Sequence, residues 1–177
     1  VKAAAITGQA ETLICLDETG RPLRKAIVWL DHRAVAEAAE LTREFGAEAM
    51  FRLSGQTEVL PCFPGPKIRW LAAHEPEVFR RTAKFLMVED YIVYRLTGEF
   101  ASCGGLWPSS CFYDLRTHRW AQPVLDFLRI APDRLPALHG PGTVLARCAP
   151  DQQLLAPGTP VAGAPIEAPA MLTSKPR

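Results

Sequence analysis

The reading of this chain turns on Ile6-Thr7-Gly8-Gln9-Ala10-Glu11-Thr12, followed seventeen residues after Thr12 by Trp29-Leu30-Asp31-His32-Arg33. Each stretch places polar side chains at the end of an apolar, strand-like run. Together they bring a carboxylate, an indole plate and an Asp/Arg pair into one part of the chain. A carboxylate accepts from two neighbouring hydroxyls through charge-assisted hydrogen bonds, which are about twice as strong as neutral ones. An indole face suits the C–H side of a ring. This is chemistry for a small polyhydroxylated molecule, and each residue also has a plainer reading. Glu11 and Thr12 equally describe a solvated turn. Trp29 equally describes a core tryptophan ending a strand. Asp31 and Arg33 equally describe a helix cap and a surface cation.

Around these stretches, Ala3 to Thr7 and Thr12 to Leu16 read as short strands. Asp17 to Pro22 is dense in turn residues, and Ala26 to Trp29 reads as a third strand closing a β-meander. Asp31 is placed to cap a helix over Ala34 to Phe45 that Gly46 stops. Further helices are predicted over Lys67 to His74, Glu77 to Thr82, Glu89 to Thr97 (closed by Gly98) and Trp120 to Leu128. Lys84 to Met87 reads as a strand. From Pro132 to Arg177 the chain holds nine of its sixteen prolines and reads as loop, with strands at Thr143 to Leu145 and Thr159 to Val161. Strands interleaved with helices predict an α/β domain.

The bulk properties exclude several function classes. The 177 residues suffice for one core, and 48% hydrophobic with 22% charged is a globular composition. A formal net charge of +1, with scattered lysines and arginines, argues against nucleic-acid binding. No apolar run has the roughly 20 residues of a membrane span. The start at Val1, without Met or a signal-peptide pattern, suggests a processed or truncated beginning. Five widely spaced cysteines form no Cys-x-x-Cys pair and no zinc pattern with the four histidines. They read as buried thiols of a reducing cytoplasm, with a Cys103–Cys111 disulfide as the minor alternative. Pro64-Gly65-Pro66 opens a helix bearing Lys67, which reads either as an anion site at a helix N-terminus or as a surface helix with Trp70 in the core. No Walker or Rossmann glycine pattern, catalytic triad or metal cage is present.

Several blocks, in this order, resemble the FGGY carbohydrate kinases. They are ITGQAET (6–12), RPLRKAIVWLDHR (21–33), PGPKIRWL (64–71), EPEVFRRTAKFLMVEDYIVYRLTGEF (75–100), YDLRTHRW (113–120) and GTPVAGA (158–164). The resemblance implies a sugar or polyol kinase that uses ATP and Mg2+. It implies an actin-like, ribonuclease H-like ATPase fold, of which residues 1–164 form an incomplete first domain and 165–177 a divergent Pro-rich tail. The family's phosphate-contacting Asp-x-Gly-Thr hairpin is then expected upstream of Val1, and the nucleotide-binding second domain is not in the chain.

By the same resemblance, Ala10 and Glu11 fall where the family contacts substrate hydroxyls, and Trp29, Asp31 and Arg33 fall beside the sugar. The Glu-Thr ending is closer to the glycerol-kinase version than to the Met-His of xylulokinases. Cys62 stands where glycerol kinases often place a substrate-contacting tyrosine, and Ala73 replaces a usual polar residue. The family's catalytic base, an Asp, follows the GTPVAGA-like block by about two residues. Glu167 is the candidate to stand in for it, with a shifted and longer reach. The expected partner is a small sugar or polyol, with a second copy of the chain as a further candidate. The chain alone is expected to be inactive, and the rival readings are a silent sugar-binding module or a non-functional remnant.

Overall fold

The computed structural model describes residues 1–164, so Glu167 and the 165–177 tail lie outside the described residues. Within them, nine short strands and six α-helices alternate in a mixed α/β domain. The strand β1 (Ala4–Ile6) runs parallel to β9 (Pro160–Gly163), which pairs antiparallel with β8 (Val144–Arg147), giving the order β1-β9-β8. The fully buried β2 (Leu13–Leu16) pairs antiparallel with β3 (Lys84–Met87), Leu13 opposite Met87 and Leu16 opposite Lys84. Two smaller pairs complete the strands. One is parallel, β4 (Ala101–Cys103) with β7 (Ala137–His139), and the other is the hairpin of β5 (Tyr113–Asp114) and β6 (Arg119–Trp120).

The predicted meander is corrected. Residues 26–29 form no strand. The chain touches β2 only at two isolated bridges, Leu16 with Pro22 and Leu13 with Ile27, and bows away between them, where Arg24 reaches out to Glu75 at 2.7 Å. The partner that completes β2 comes instead from β3, far along the chain.

Helix α1 (Val35–Phe45) ends at Gly46, whose φ of 79° needs a residue without Cβ. Gly46 does not open a loop, because α2 (Ala47–Ser54) starts at once and ends at Gly55 in the left-handed conformation. Helix α3 (Pro64–His74) begins three residues earlier than predicted, with proline in its first turn where the missing N–H costs nothing. Its Arg69 forks onto Glu40 of α1 at 2.8 and 2.9 Å. Then come α4 (Pro76–Arg81), α5 (Val88–Thr97), closed by Gly98, and α6 (Gln122–Leu128). Trp120 lies in β6, not in α6.

The main core gathers Leu13, Ile27, Leu41, Ile68, Leu71, Phe85 and the aromatic group of Trp107 and Phe112. Trp120 meets Trp107 edge to face at 5.0 Å, and the Trp107 indole N–H donates to Ser102 Oγ at 2.8 Å. All five cysteines are buried free thiols, so the Cys103–Cys111 alternative is not realised. No helix of the described residues is long and apolar enough to cross a membrane.

Candidate functional site

Between β1 and β2 the chain turns through Gly8 to Thr12. Glu11 makes that turn at φ 69°, a left-handed conformation that a residue with a Cβ adopts at a cost. The turn leaves Ala10 packed against the core and Glu11 half-buried. Burial raises the Glu11 carboxyl above its usual range, while the Ser109 hydroxyl and then the Lys67 ammonium draw it back.

A second turn lies alongside. Asp31 N–H closes it onto Val28 O at 2.9 Å, and Trp29 N–H donates to Thr12 Oγ1 at 3.2 Å. Trp29 is 43% exposed, which removes the core reading of this tryptophan. Its neighbours Val28 and Leu30 are exposed too, so an apolar ledge stands beside the Glu11 turn.

Asp31 does not cap α1. The helix has Ala34 at its N-cap with no side-chain cap, because two residues intervene and the carboxylate turns to Arg33. It accepts the Arg33 N–H at 3.0 Å and the guanidinium at 2.7 to 3.0 Å. That pairing, with the Arg33 hydrogen bond as its main cause, lowers the Asp31 carboxyl. The Arg33 guanidinium also lies 4.7 Å from the Trp70 ring centre, and Trp70 stacks on His74 at 4.8 Å. Arg33 is thereby held between a carboxylate and an aromatic face.

Lys67 is the residue whose role the sequence reading missed. It is wholly buried and does not present its charge to a solvent anion. Its Nζ donates to the backbone carbonyls of Glu11 at 2.7 Å, Val28 at 3.0 Å and Ile27 at 3.4 Å. Burial lowers it to about 8, against Cys62, Glu11 and Asp31, which hold it up. The available signal was its place on α3, one turn before the buried Leu71 on the same face.

The structure therefore brings Ala10, Glu11, Trp29, Asp31 and Arg33 together around Lys67, with Cys62 close enough to feel both Glu11 and Lys67. Glu167 lies outside the described residues. An apolar groove lined by Met50, Leu53, Trp120 and Pro123 contains none of these residues.

Gly104-Gly105 does not form a phosphate-binding loop. Gly104 and Gly105 lie in a single 3-10 turn, and a Cβ on Gly104 would come 2.5 Å from the Tyr113 hydroxyl, so the turn is filled and cradles no phosphate. No group of three or more His, Cys, Asp or Glu side chains is gathered for a metal among the described residues.

The sequence is similar to that of known proteins over most of its length. Xylulose kinase of Escherichia coli (strain K12) is 34% identical over 139 residues, 78% of this chain and 28% of that protein. Glycerol kinase of Leptothrix cholodnii is 32% identical over 170 residues, 92% of this chain and 34% of that protein. The crystal structure of xylulose kinase from Rhodospirillum rubrum superposes with a TM-score of 0.86 at 30% identity, covering 93% of this chain and 34% of that one. The chain thus spans about a third of the length of these relatives, and its architecture is that of the actin-like sugar kinases. The profile of the FGGY family of carbohydrate kinases, N-terminal domain, matches residues 1–168, and the chain belongs to that family.

Proposed function

We propose that this domain supplies the sugar-facing wall of an ATP-dependent kinase for a sugar or polyol hydroxyl. The observation that carries the reading is the convergence of Glu11, Trp29 and the Asp31–Arg33 pair on two adjoining turns that share Lys67. Glu11 accepts a pair of hydroxyls, Trp29 offers an apolar face, and Asp31, fixed by Arg33, accepts a further hydroxyl at the rim. Ala10, small and packed on the core, leaves room beside Glu11. Similarity to xylulose and glycerol kinases supports this substrate class. ATP and Mg2+ belong to the activity of the whole protein, and no step through them is assigned to these residues. The five buried free thiols accord with a cytoplasmic location.

Catalysis of phosphoryl transfer is positioning and charge stabilisation around the phosphates. The chain on its own is therefore expected to bind a polyol and not to turn over ATP. The test is an amide NMR titration of the chain with glycerol, xylulose and a panel of pentitols. Saturable shifts at Glu11, Thr12 and Trp29, abolished by Glu11→Ala, are expected. A well-dispersed spectrum indifferent to every polyol overturns the pocket.

A further inference from the structure

We propose that Lys67 is the positioning residue of this pocket: its ammonium, shared among the carbonyls of Glu11, Ile27 and Val28, ties the Glu11 turn to the Trp29 turn and sets the separation of carboxylate and indole. The inference rests on the polyol reading above and adds to it a residue that touches neither substrate nor solvent.

The geometry supplies both ends of the tether. On the anchored side, the first turn of α3 is buried from Pro64 through Ile68, and it lies so close to the chain at Ser110 that a Cβ on Gly65 would stand 2.6 Å from the Ser110 carbonyl oxygen. The stem of Lys67 therefore rises from a helix start that cannot shift. On the free side are two turns with no strand pairing of their own beyond the Leu13–Ile27 bridge. The Trp29 N–H bond to Thr12 Oγ1 is long, at 3.2 Å. The ammonium carries the remaining connection. Ser109, next to that same close approach, acts on the Glu11 carboxyl, so α3 and the Ser109 turn together fix Glu11 from two directions.

A buried cation shared by carbonyl groups, with no carboxylate salt-bridged to it among the described residues, holds the backbone through charge-assisted hydrogen bonds that weaken when it loses its proton. The titratable and charged groups facing it are Cys62, Glu11, Asp31 and Arg33. Burial raises the Glu11 carboxyl, the Arg33 hydrogen bond lowers the Asp31 carboxyl, burial pushes the Cys62 thiol above its ordinary range, and Asp31 raises Arg33. A transition near pH 8 at the tethered carbonyls that is absent from Lys67→Met belongs to Lys67.

Two measurements test this. In the unaltered chain, amide shifts are followed from pH 6 to 9.5. The amides of Thr12, Val28 and Trp29 share peptide groups with the three tethered carbonyls and are expected to move together with a midpoint near 8. Their failure to move, or the same transition in Lys67→Met, overturns the proposal. In Lys67→Met, hydrogen exchange at these amides is expected to quicken at least tenfold relative to β2 and β3, and glycerol or xylulose to bind at least tenfold more weakly. Unchanged exchange, or unchanged affinity in a folded variant, overturns it. If Lys67→Met does not fold, the pH transition in the unaltered chain decides. If the unaltered chain binds no polyol, the pocket reading fails, and the tether is judged on exchange and the pH transition alone.

Discussion

Lys67 and Glu89, both buried to within 1% of full enclosure, have met opposite fates. Lys67 reaches three carbonyl oxygens. Both carboxylate oxygens of Glu89 lack a hydrogen-bond partner among the described residues, as does Oδ1 of its neighbour Asp90, whose Oδ2 accepts the Met87 N–H at 2.9 Å. The two regions bracket the same short stretch of chain. A Cβ on Gly8 would stand 2.9 Å from Glu89 Oε1, while the Glu11 carbonyl receives Lys67. The Gly8-to-Glu11 turn thus runs between a satisfied cation and an unsatisfied carboxyl. A satisfied buried charge can hold geometry, whereas an unsatisfied one gives up its charge and makes the fold respond to pH.

The packing around the two groups differs in the same sense, and two glycine substitutions expose it. At Gly65 a new methyl meets the backbone oxygen of Ser110, which cannot rotate away. Gly65→Ala is expected to cost about 1–3 kcal/mol, as overpacking does, lowering Tm by roughly 2–4 °C per kcal/mol in a chain of this size. At Gly8 the methyl meets the Glu89 side chain, its carboxylate nearest, with no backbone atom among the closest contacts. Gly8→Ala is expected to lower Tm by less. Thermal melts in which Gly8→Ala is the more damaging would reverse the assignment of rigid and yielding sides.

The pH response sharpens the contrast. Burial raises Glu89 to about 7 from 4.5, and raises Asp90 to about 7 from 3.8 with Glu89 adding to it. The folded chain therefore holds protons that the unfolded chain releases between about pH 4 and 7. Stability from this pair is fully present below the unfolded values and is lost as pH rises through 7. Glu89→Gln keeps the shape without the charge. It is expected to flatten the fall in Tm between pH 5 and 8 and to raise Tm at pH 8 by a few degrees, roughly the worth of 1 kcal/mol. A Tm independent of pH in the unaltered chain would show that Glu89 is satisfied after all. Polyol affinity should follow a different profile, failing at acid pH as Glu11 takes up a proton and again above about 8 as Lys67 loses one.

Much of the scaffold was legible because its signals are local. Gly46 and Gly98 mark helix ends with φ of 79° and 78°, and β3 falls on the predicted residues Lys84–Met87. The missed α2 was legible too, since Gly46 and Gly55 bracket Ala47–Ser54, a run of good helix formers. The three-residue strands β4 and β7 were not, because so short a run carries no period. The failed strand over Ala26 to Trp29 shows the limit from the other side. Its composition suits a strand, but β2 takes its full ladder from β3. In the proposed site, Glu11, Trp29, Asp31 and Arg33 were visible because they cluster in the chain. The role of Lys67 was hidden because its carbonyl partners lie 39 to 56 residues away. No local pattern distinguishes a lysine bound for carbonyls from one bound for solvent.

The smallest expected effects come from the surface, and they bound how far the contrast extends. Trp29 is 43% exposed and its removal opens no cavity, so Trp29→Ala should change stability by less than about 0.5 kcal/mol. Its indole face is free for ligand, and loss of a contact worth about 1 kcal/mol should weaken polyol binding about fivefold. A tryptophan that mattered for folding and not for binding would show the reverse. The Glu48–Arg52 pair on α2 supplies the zero of the scale. Both side chains are more than three-quarters exposed, so water competes for each and the Coulomb attraction is screened. Arg52→Ala should leave both Tm and polyol affinity within error. If it instead weakened binding as Trp29→Ala does, the affinity changes would reflect a general loosening of the domain, and the separation between a tethered pocket and an indifferent surface would collapse.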